Sequence, residues 1–375
     1  MKKSITPNQI KENNRSLIYQ YIYKNRKVSQ QDISYALRLS RPTVTANLNE
    51  LETCGLIRKN GQIDSEYVGR KAAAYSIIAD FRISIGVEIL KNEIKMIAIN
   101  LYGEKIDRKV CEISYENKDA YYKNVVDQIL DFLEMTGAEK AQVLGIGFAM
   151  QALISTDEKT VIYGKILSCT GLSIDVFSRY LPYPCYFIHD ANGAALSELW
   201  LSPHLENAFY LSLGVHLGAA TIVNGTISIG KHGHNSTIEH IQMEAHGKLC
   251  YCGKYGCMET LCSLSALLSQ GEEIDNFFRQ LRDGNPVYQQ RWDKYLTDLA
   301  TAINLLHLVH DTDFILGGYL APYICQEDIQ TLHQLIHEMT PFEEAQDFIY
   351  LSKMPKHNIA IGAALPYVQR FLAEL

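Results

Sequence analysis

The chain has 375 residues, 47% of them hydrophobic and 21% charged. That is an ordinary globular composition; it excludes a disordered or collagen-like chain and leaves room for two or three domains. The formal charge is −7, no apolar run reaches the ~18 residues of a membrane span, and the polar start Met1-Lys2-Lys3-Ser4 argues against a secretory leader. We therefore expect a cytoplasmic protein with no membrane partner.

The charge is unevenly placed. Residues 1–80 carry 13 Lys+Arg and 7 Asp+Glu, whereas residues 81–375 carry 22 and 35. A basic head on an acidic body points to a polyanion partner for the head alone. Residues 14–24 are predicted as a helix burying Leu17, Ile18, Tyr21 and Ile22. Ser29 and Asp32 form a capping box that starts a short second helix, whose buried face is Ile33, Ala36 and Leu37. Arg38-Leu39 turns the chain. Ser40 caps a third helix that tolerates Pro42 in its first turn and buries Val44, Leu48 and Leu51. Its other side offers Arg41, Thr43, Thr45 and Asn49, short or hydrogen-bonding side chains suited to a major groove. Asn60-Gly61 signals a hairpin turn, with a second strand through Ala74–Ile78. Gly69-Arg70-Lys71 would place two cations, Arg70 and Lys71, against the DNA backbone or minor groove. Three helices and a hairpin make residues 1–80 a winged helix-turn-helix for double-stranded operator DNA.

The body, residues 81–375, reads as α/β. Strands are predicted at Ser84–Ile89, Ile94–Leu101 and Val110–Tyr115, then a helix over 119–135 and an apolar strand at Val143–Met150. Tyr186–Ile188 delivers His189-Asp190 to the start of a helix at 192–200. The pattern then repeats: strands Ala208–Leu213 and Ala219–Val223, a turn at Asn224-Gly225, helices to about 310, and a strand Phe314–Leu316 ending in Gly317-Gly318. Two α/β lobes around a cleft follow from this order.

Nine cysteines, an odd number with four between 250 and 262, suit metal ligation better than a disulfide framework. Cys250, Cys252 and Cys257 lie within eight residues, with Gly253 and Gly256 allowing the chain to wrap. With His240 as fourth ligand they make a closed tetrahedral set for one structural Zn2+ per chain.

The stretch from His240 through Glu259 closely resembles the signature of the ROK family (repressors, open reading frames and sugar kinases), as does His189-Asp190-Ala191-Asn192-Gly193. With the winged head, the likeness is to the repressor branch. It implies a two-lobed actin-like, ribonuclease-H-like ATPase fold that binds sugar between the lobes. Asp190, Glu259 and His240 would meet the sugar, and Asp190 is the family kinases' general base. The phosphate motifs depart from the family. Leu90 and Lys91 replace the tight-turn glycines of the first, Glu88 replaces its Asp, and Val215, His216 and Ala220 enter the second. The family Glu three before the zinc His is Thr237, and Glu239 stands beside it as a substitute. These losses point to a kinase-like body without catalytic turnover, so no enzyme is expected. The expected protein is a DNA-binding regulator, chiefly a repressor, of carbohydrate metabolism. A small-molecule effector, a sugar or relative of one, would control it, and it would act as a homodimer or tetramer. The alternatives are an active sugar kinase with a fused DNA-binding head, and a regulator answering to a protein partner.

Overall fold

The computed structural model describes residues 6–63, 72–342, 347–354 and 356–375. Gly69, Arg70 and Lys71 lie outside the described residues. The head is α1 (Pro7–Asn25), β1 (Val28–Ser29), α2 (Gln30–Leu37), α3 (Arg41–Thr53), β2 (Ile57–Ile63) and β3 (Ala72–Ile77). Both expected caps are present. The Ser29 hydroxyl accepts from Asp32 N–H while the Asp32 carboxylate accepts from Ser29 N–H, and Ser40 Oγ accepts from Thr43 N–H. Arg38 ends α2 in the left-handed conformation, which sets the turn into α3. Ile18, Tyr19, Ile22, Ile33, Val44, Leu48 and Leu51 form the shared core of the three helices.

Three sequence expectations for the head need correction. Leu17 is 48% exposed and Ala36 is also exposed, while Tyr19 is buried. The buried stripe of α1 centres on Ile18 and Ile22, and Leu17 is turned ~100° from the former. Asn60-Gly61 is not the hairpin turn. β2 runs through it to Ile63 with a shift of register against β3 between Lys59 and Gln62, and Gly61 takes φ +74 there. The dipeptide makes a bulge, another use of glycine's positive φ.

The body continues with β4 (Ile83–Ile89), β5 (Ile94–Ile99), β6 (Lys105–Cys111), α4 (Asp119–Thr136), β7 (Val143–Met150), β8 (Leu153–Ile154), β9 (Val161–Tyr163), α5 (Asp175–Ser178), β10 (Cys185–His189) and α6 (Asp190–Leu201). Next come β11 (Ala208–Leu213), β12 (Leu217–Val223), β13 (Thr226–Ser228), α7 (Glu259–Cys262), α8 (Leu264–Leu267), α9 (Ile274–Arg282) and α10 (Pro286–His307). The chain closes with β14 (Asp313–Gly317), α11 (Gln326–Met339), β15 (Ile349–Leu351) and α12 (Asn358–Glu374). Two five-stranded sheets result, ordered β10-β7-β4-β5-β6 and β13-β12-β11-β14-β15. They share one topology. In each, the first strand pairs antiparallel with the second and parallel with the fourth. The two-lobed repeat expected from the sequence is this duplication. β6 begins five residues before the expected strand because its Lys105, Asp107 and Lys109 are polar. Backbone pairing to β5, not an apolar pattern, defines it.

Helix α12 is absent from the sequence expectations, yet it joins the lobes. It packs on β4 and β7 and crosses α6 so closely that a Cβ on Gly362 would fall 1.7 Å from the Gly193 carbonyl oxygen. That crossing admits only glycine at 362. The head is not a free appendage. Its core cluster also holds Ile97, Ile99, Leu101, Ile361 and Leu365 of the body.

Candidate metal centre and ligand cleft

The loop after β13 brings His240, Cys250, Cys252 and Cys257 together, with one ligand atom from each and all four atoms within 4.8 Å of one another. A knuckle turn shapes it: Cys250 N–H donates to Lys254 O and Gly253 N–H to Cys250 O. Cys250 Sγ lies 3.8 Å from His240 Nδ1, and Cys252 Sγ lies 3.7 Å from Cys257 Sγ. Ligands ~2.3 Å from a tetrahedral zinc stand ~3.7 Å apart, so the donor set and its spacing fit the ion. His240 Nε2 is buried without a hydrogen-bond partner among the described residues, 3.8 Å from Glu239 Oε1.

Beside this centre the lobes meet over a small chamber. Asp190 enters it from the first residue of α6, delivered by the parallel strand β10. Its Oδ1 accepts from Ala191 N–H at 2.8 Å and lies 3.3 Å from His189 Nε2. Gln151, Lys165, Glu239, His216 and Tyr251 bring further polar groups to the walls. Burial pushes the Glu239 carboxyl up to about 8, with Glu259 and Asp190 adding repulsion. Glu259 and His240 stand behind the walls. Glu259 lies with Oε1 2.7 Å from His216 Nδ1 and with Oε2 accepting from Leu217 N–H at 2.8 Å. The side chain facing the chamber there is therefore His216. Tyr251, a spacer between two cysteines, carries no signal in the sequence that would single it out. It packs edge-on against both His216 and His240.

Close to the β4–β5 turn, where the resemblance places the first phosphate loop, side chains of the two lobes meet. Lys95 of β5 donates to Tyr319 Oη across the lobes at 2.6 Å and pairs with Glu93 at 3.1 Å. Glu88 lies buried nearby, one oxygen without a hydrogen-bond partner among the described residues. Leu90 and Lys91 lie in the tight turn between β4 and β5. Ala220 takes no part in this corner. It lies in mid-β12 within the core cluster of Tyr210, Ala194 and Ile222, which corrects its placement among the phosphate-loop changes. The intact Gly317 has a structural reason of its own, since a Cβ there would fall 1.8 Å from Tyr210 Oη.

Burial pushes the Glu88 carboxyl up to about 7, against the pull of the Lys95 ammonium. Its pKa in the fold thus exceeds that in the unfolded chain. As pH rises through the window from about 4.5 to 7, the unfolded chain loses this proton first and stability falls. Glu88→Gln cannot titrate. Urea unfolding at pH 5 and pH 8 should show the wild type losing on the order of 3 kcal/mol relative to the variant. Equal changes in both proteins would contradict the buried-acid assignment.

On α3, Arg41, Thr45 and Asn49 are exposed on one face at spacings of four. Thr43 is half-buried, its hydroxyl 2.8 Å from Ser40 Oγ at the cap. No helix among the described residues is long and apolar enough to cross a membrane.

Comparison with known proteins agrees with this geometry. The model for the ROK family matches residues 84–369, and one described as "Winged helix-turn-helix DNA-binding" matches residues 12–58. The chain is 26% identical to the xylose repressor of Caldicellulosiruptor bescii, over 97% of each chain. It is 22% identical to the DNA-binding transcriptional dual regulator NagC of Escherichia coli K12, over 69% of this chain and 64% of that one. Among solved structures it resembles a ROK family transcriptional regulator, a homologue of the E. coli MLC protein, with TM-score 0.75, 21% identity and 97% and 96% of the two chains covered. A ROK family glucokinase from Streptomyces griseus matches with TM-score 0.66 and 19% identity over 76% of this chain and 99% of that one. The actin-like duplication, the cluster of one histidine and three cysteines beside an Asp-led helix, and the family match over most of the body place this chain in the ROK family, with a winged helix-turn-helix at its head.

Proposed function

We propose that the protein is a sugar-responsive transcriptional repressor. The observation that carries this reading is the pairing of an exposed α3 face with a body in which Lys95 donates to Tyr319 across the lobes. The xylose repressor and NagC, named above, are regulators with which it aligns over 97% and 69% of its length. In the proposed roles, Arg41, Thr43, Thr45, Asn49, Arg70 and Lys71 serve DNA. Asp190 meets the sugar, with Glu259 and His240 positioning its neighbours, and His240, Cys250, Cys252 and Cys257 hold one structural zinc. Residues 1–80 and 81–375 are the two functional units.

A physical route joins the units. Helix α6 runs from Asp190 in the cleft for 12 residues, about 18 Å. Near its far end, Trp200 Nε1 donates to the Tyr102 carbonyl at 2.8 Å. The Tyr102 ring stacks on Tyr23 and lies under the Arg26 guanidinium at 3.3 Å, at the end of α1. A ligand that favours one lobe angle shifts the heads by as much as it prefers that state. Two copies are needed to span two half-sites, so we assign a homodimer or a dimer of dimers. The test is a duplex selected from random DNA by the full chain. Binding should be sequence-specific and weaken with an inducing sugar, and Asp190→Ala should bind DNA but not respond. A response that survives Asp190→Ala would remove the cleft from the account.

Sugar-dependent ATP hydrolysis should be absent. Asp190 can still serve as a base, but phosphoryl transfer depends on positioning and charge stabilisation of the donor, and Leu90 and Lys91 stand in the turn of the first phosphate motif with the Lys95–Tyr319 bridge close by. A coupled assay with a panel of hexoses and pentoses, ATP and magnesium checks this. Steady turnover with any of them would establish the kinase alternative.

A further inference from the structure

Helix α2 carries a second surface beside α3. Gln30 Nε2 donates to Thr45 Oγ1 and to Arg41 O, which ties the start of α2 to the outer face of α3. Gln31, Tyr35 and Arg38 follow along α2 and its cap at spacings of four and three, so they share one stripe. Tyr35, Arg38, Ser40 and Arg41 line a single concavity at the turn between the two helices. Arg41 also begins the exposed face of α3, so the two surfaces are continuous.

The turn is pinned and its cations are free. Arg38 takes φ 52, Leu39 N–H donates to Ser34 O at 3.1 Å, and Ser34 Oγ donates to Leu39 O at 2.6 Å. Elsewhere in the head, Lys11 and Arg15 pair with Glu50, Lys59 with Glu52 and Arg26 with Glu104. Arg38 and Arg41 form no ion pair among the described residues. Lys24, Lys27 and Arg58 are likewise unpaired there, but they stand outside α2, α3 and their turn. The acid on this surface, Asp32, has its carboxylate committed to the Ser29 N–H at 2.8 Å. Tyr35 is 88% exposed, more than any other large hydrophobic side chain among the described residues, so its ring adds nothing to the core. Two free guanidiniums beside an aromatic ring complement a DNA strand, whose phosphates are anionic and whose sugar edges are apolar.

We propose that the α2–α3 turn is a second DNA contact, a clamp on the sugar–phosphate backbone flanking the groove that α3 enters. Tyr35 lays its ring on a sugar and donates its hydroxyl to one phosphate, and Arg38 pairs with a neighbouring phosphate of the same strand. The helix before a recognition helix crosses the backbone in this class of domain, which brings its C-terminal end within reach. The clamp adds affinity without reading bases. It rests on the reading of the head as the DNA-binding unit.

The test is anisotropy on the full chain, with the duplex it selects from random DNA and with an unrelated duplex, across a salt series. Tyr35→Ala should weaken both about tenfold. Arg38→Gln should weaken both several-fold and reduce the salt slope by about one. Neither change should lower the unfolding temperature. A neutral methylphosphonate is then placed at one phosphate at a time in the selected duplex. At least one position flanking the bases read by α3 should cost the wild type affinity and cost Arg38→Gln none. Wild-type affinity in both variants, while Asn49→Ala still weakens binding, overturns the clamp and leaves the DNA-binding reading in place. A loss in Tyr35→Ala confined to the selected duplex, or no methylphosphonate position silenced by Arg38→Gln, overturns the clamp as well. A wild type that binds no duplex overturns both.

Discussion

Chelation is expected to release one zinc per chain and to lower the unfolding temperature of the body by roughly ten degrees or more. The loop from Ile241 to Cys257 is held among the described residues by turn hydrogen bonds, such as Met243 N–H to Gly256 O and Gly256 N–H to Lys248 O, rather than by a run of strand pairing. Its strand-like contacts among the described residues are single bridges, Gln242 with Cys257 and Leu249 with Tyr255, and Leu249 and Tyr255 are themselves 61% and 57% exposed. Structural zinc supplies folding free energy outright, about 10–16 kcal/mol in isolated zinc-finger peptides. Losing several kcal/mol from a body of this size gives the shift stated. Cys252→Ser is the cleanest variant, because Cys252 is only partly buried and its loss opens no core cavity. Its zinc content, by elemental analysis, should fall from one per chain towards zero. Sugar binding should fall with it, since Tyr251 both lies between two ligands and walls the chamber. Wild-type protein purified without chelator and found free of zinc would refute the assignment.

What is legible in the sequence is local, and what is not is distant. The caps at Ser29 and Ser40 and the cysteine knuckle are decided within a few residues, so spacing is enough to find them. The alternating strand and helix pattern is enough for two lobes because the central strands are buried on both faces. A place in a motif makes Glu259 a candidate sugar ligand. Its partner His216 lies 43 residues away, and the second partner is a backbone N–H that no side-chain pattern reports. The Lys95–Tyr319 bridge spans 224 residues. Helix α12 is hidden because burial on nearly all sides from Asn358 to Val368 erases the 3.6-residue stripe, and Pro366 within it resembles a breaker. Asn60-Gly61 reads as a turn because a bulge and a turn ask for the same positive φ.

Arg41→Ala and Asn49→Ala should each weaken binding to a selected duplex by about 1–3 kcal/mol, roughly 5- to 150-fold. These two side chains are the free hydrogen-bonding groups on the outer face of α3. Neither the guanidinium nor the carboxamide has a hydrogen-bond partner among the described residues. Thr45 is partly committed, since its Oγ1 donates to Arg41 O and accepts from Gln30 Nε2. Thr43 is committed to the cap, so Thr43→Val should act on stability more than on base preference. Arg41 also separates folding from recognition. It is the first residue of α3, where the helix dipole disfavours a cation by about 0.3–1 kcal/mol. Its removal should therefore leave the unfolding temperature unchanged or slightly higher while DNA affinity falls. Anisotropy titrations across a salt series complete the test. If Arg41 reads a base, the loss should concentrate on one position of the selected site. If it touches only phosphate, all duplexes weaken alike and the salt slope falls by about one. Affinity equal to wild type in both variants would remove α3 from the interface, and with it the repressor reading.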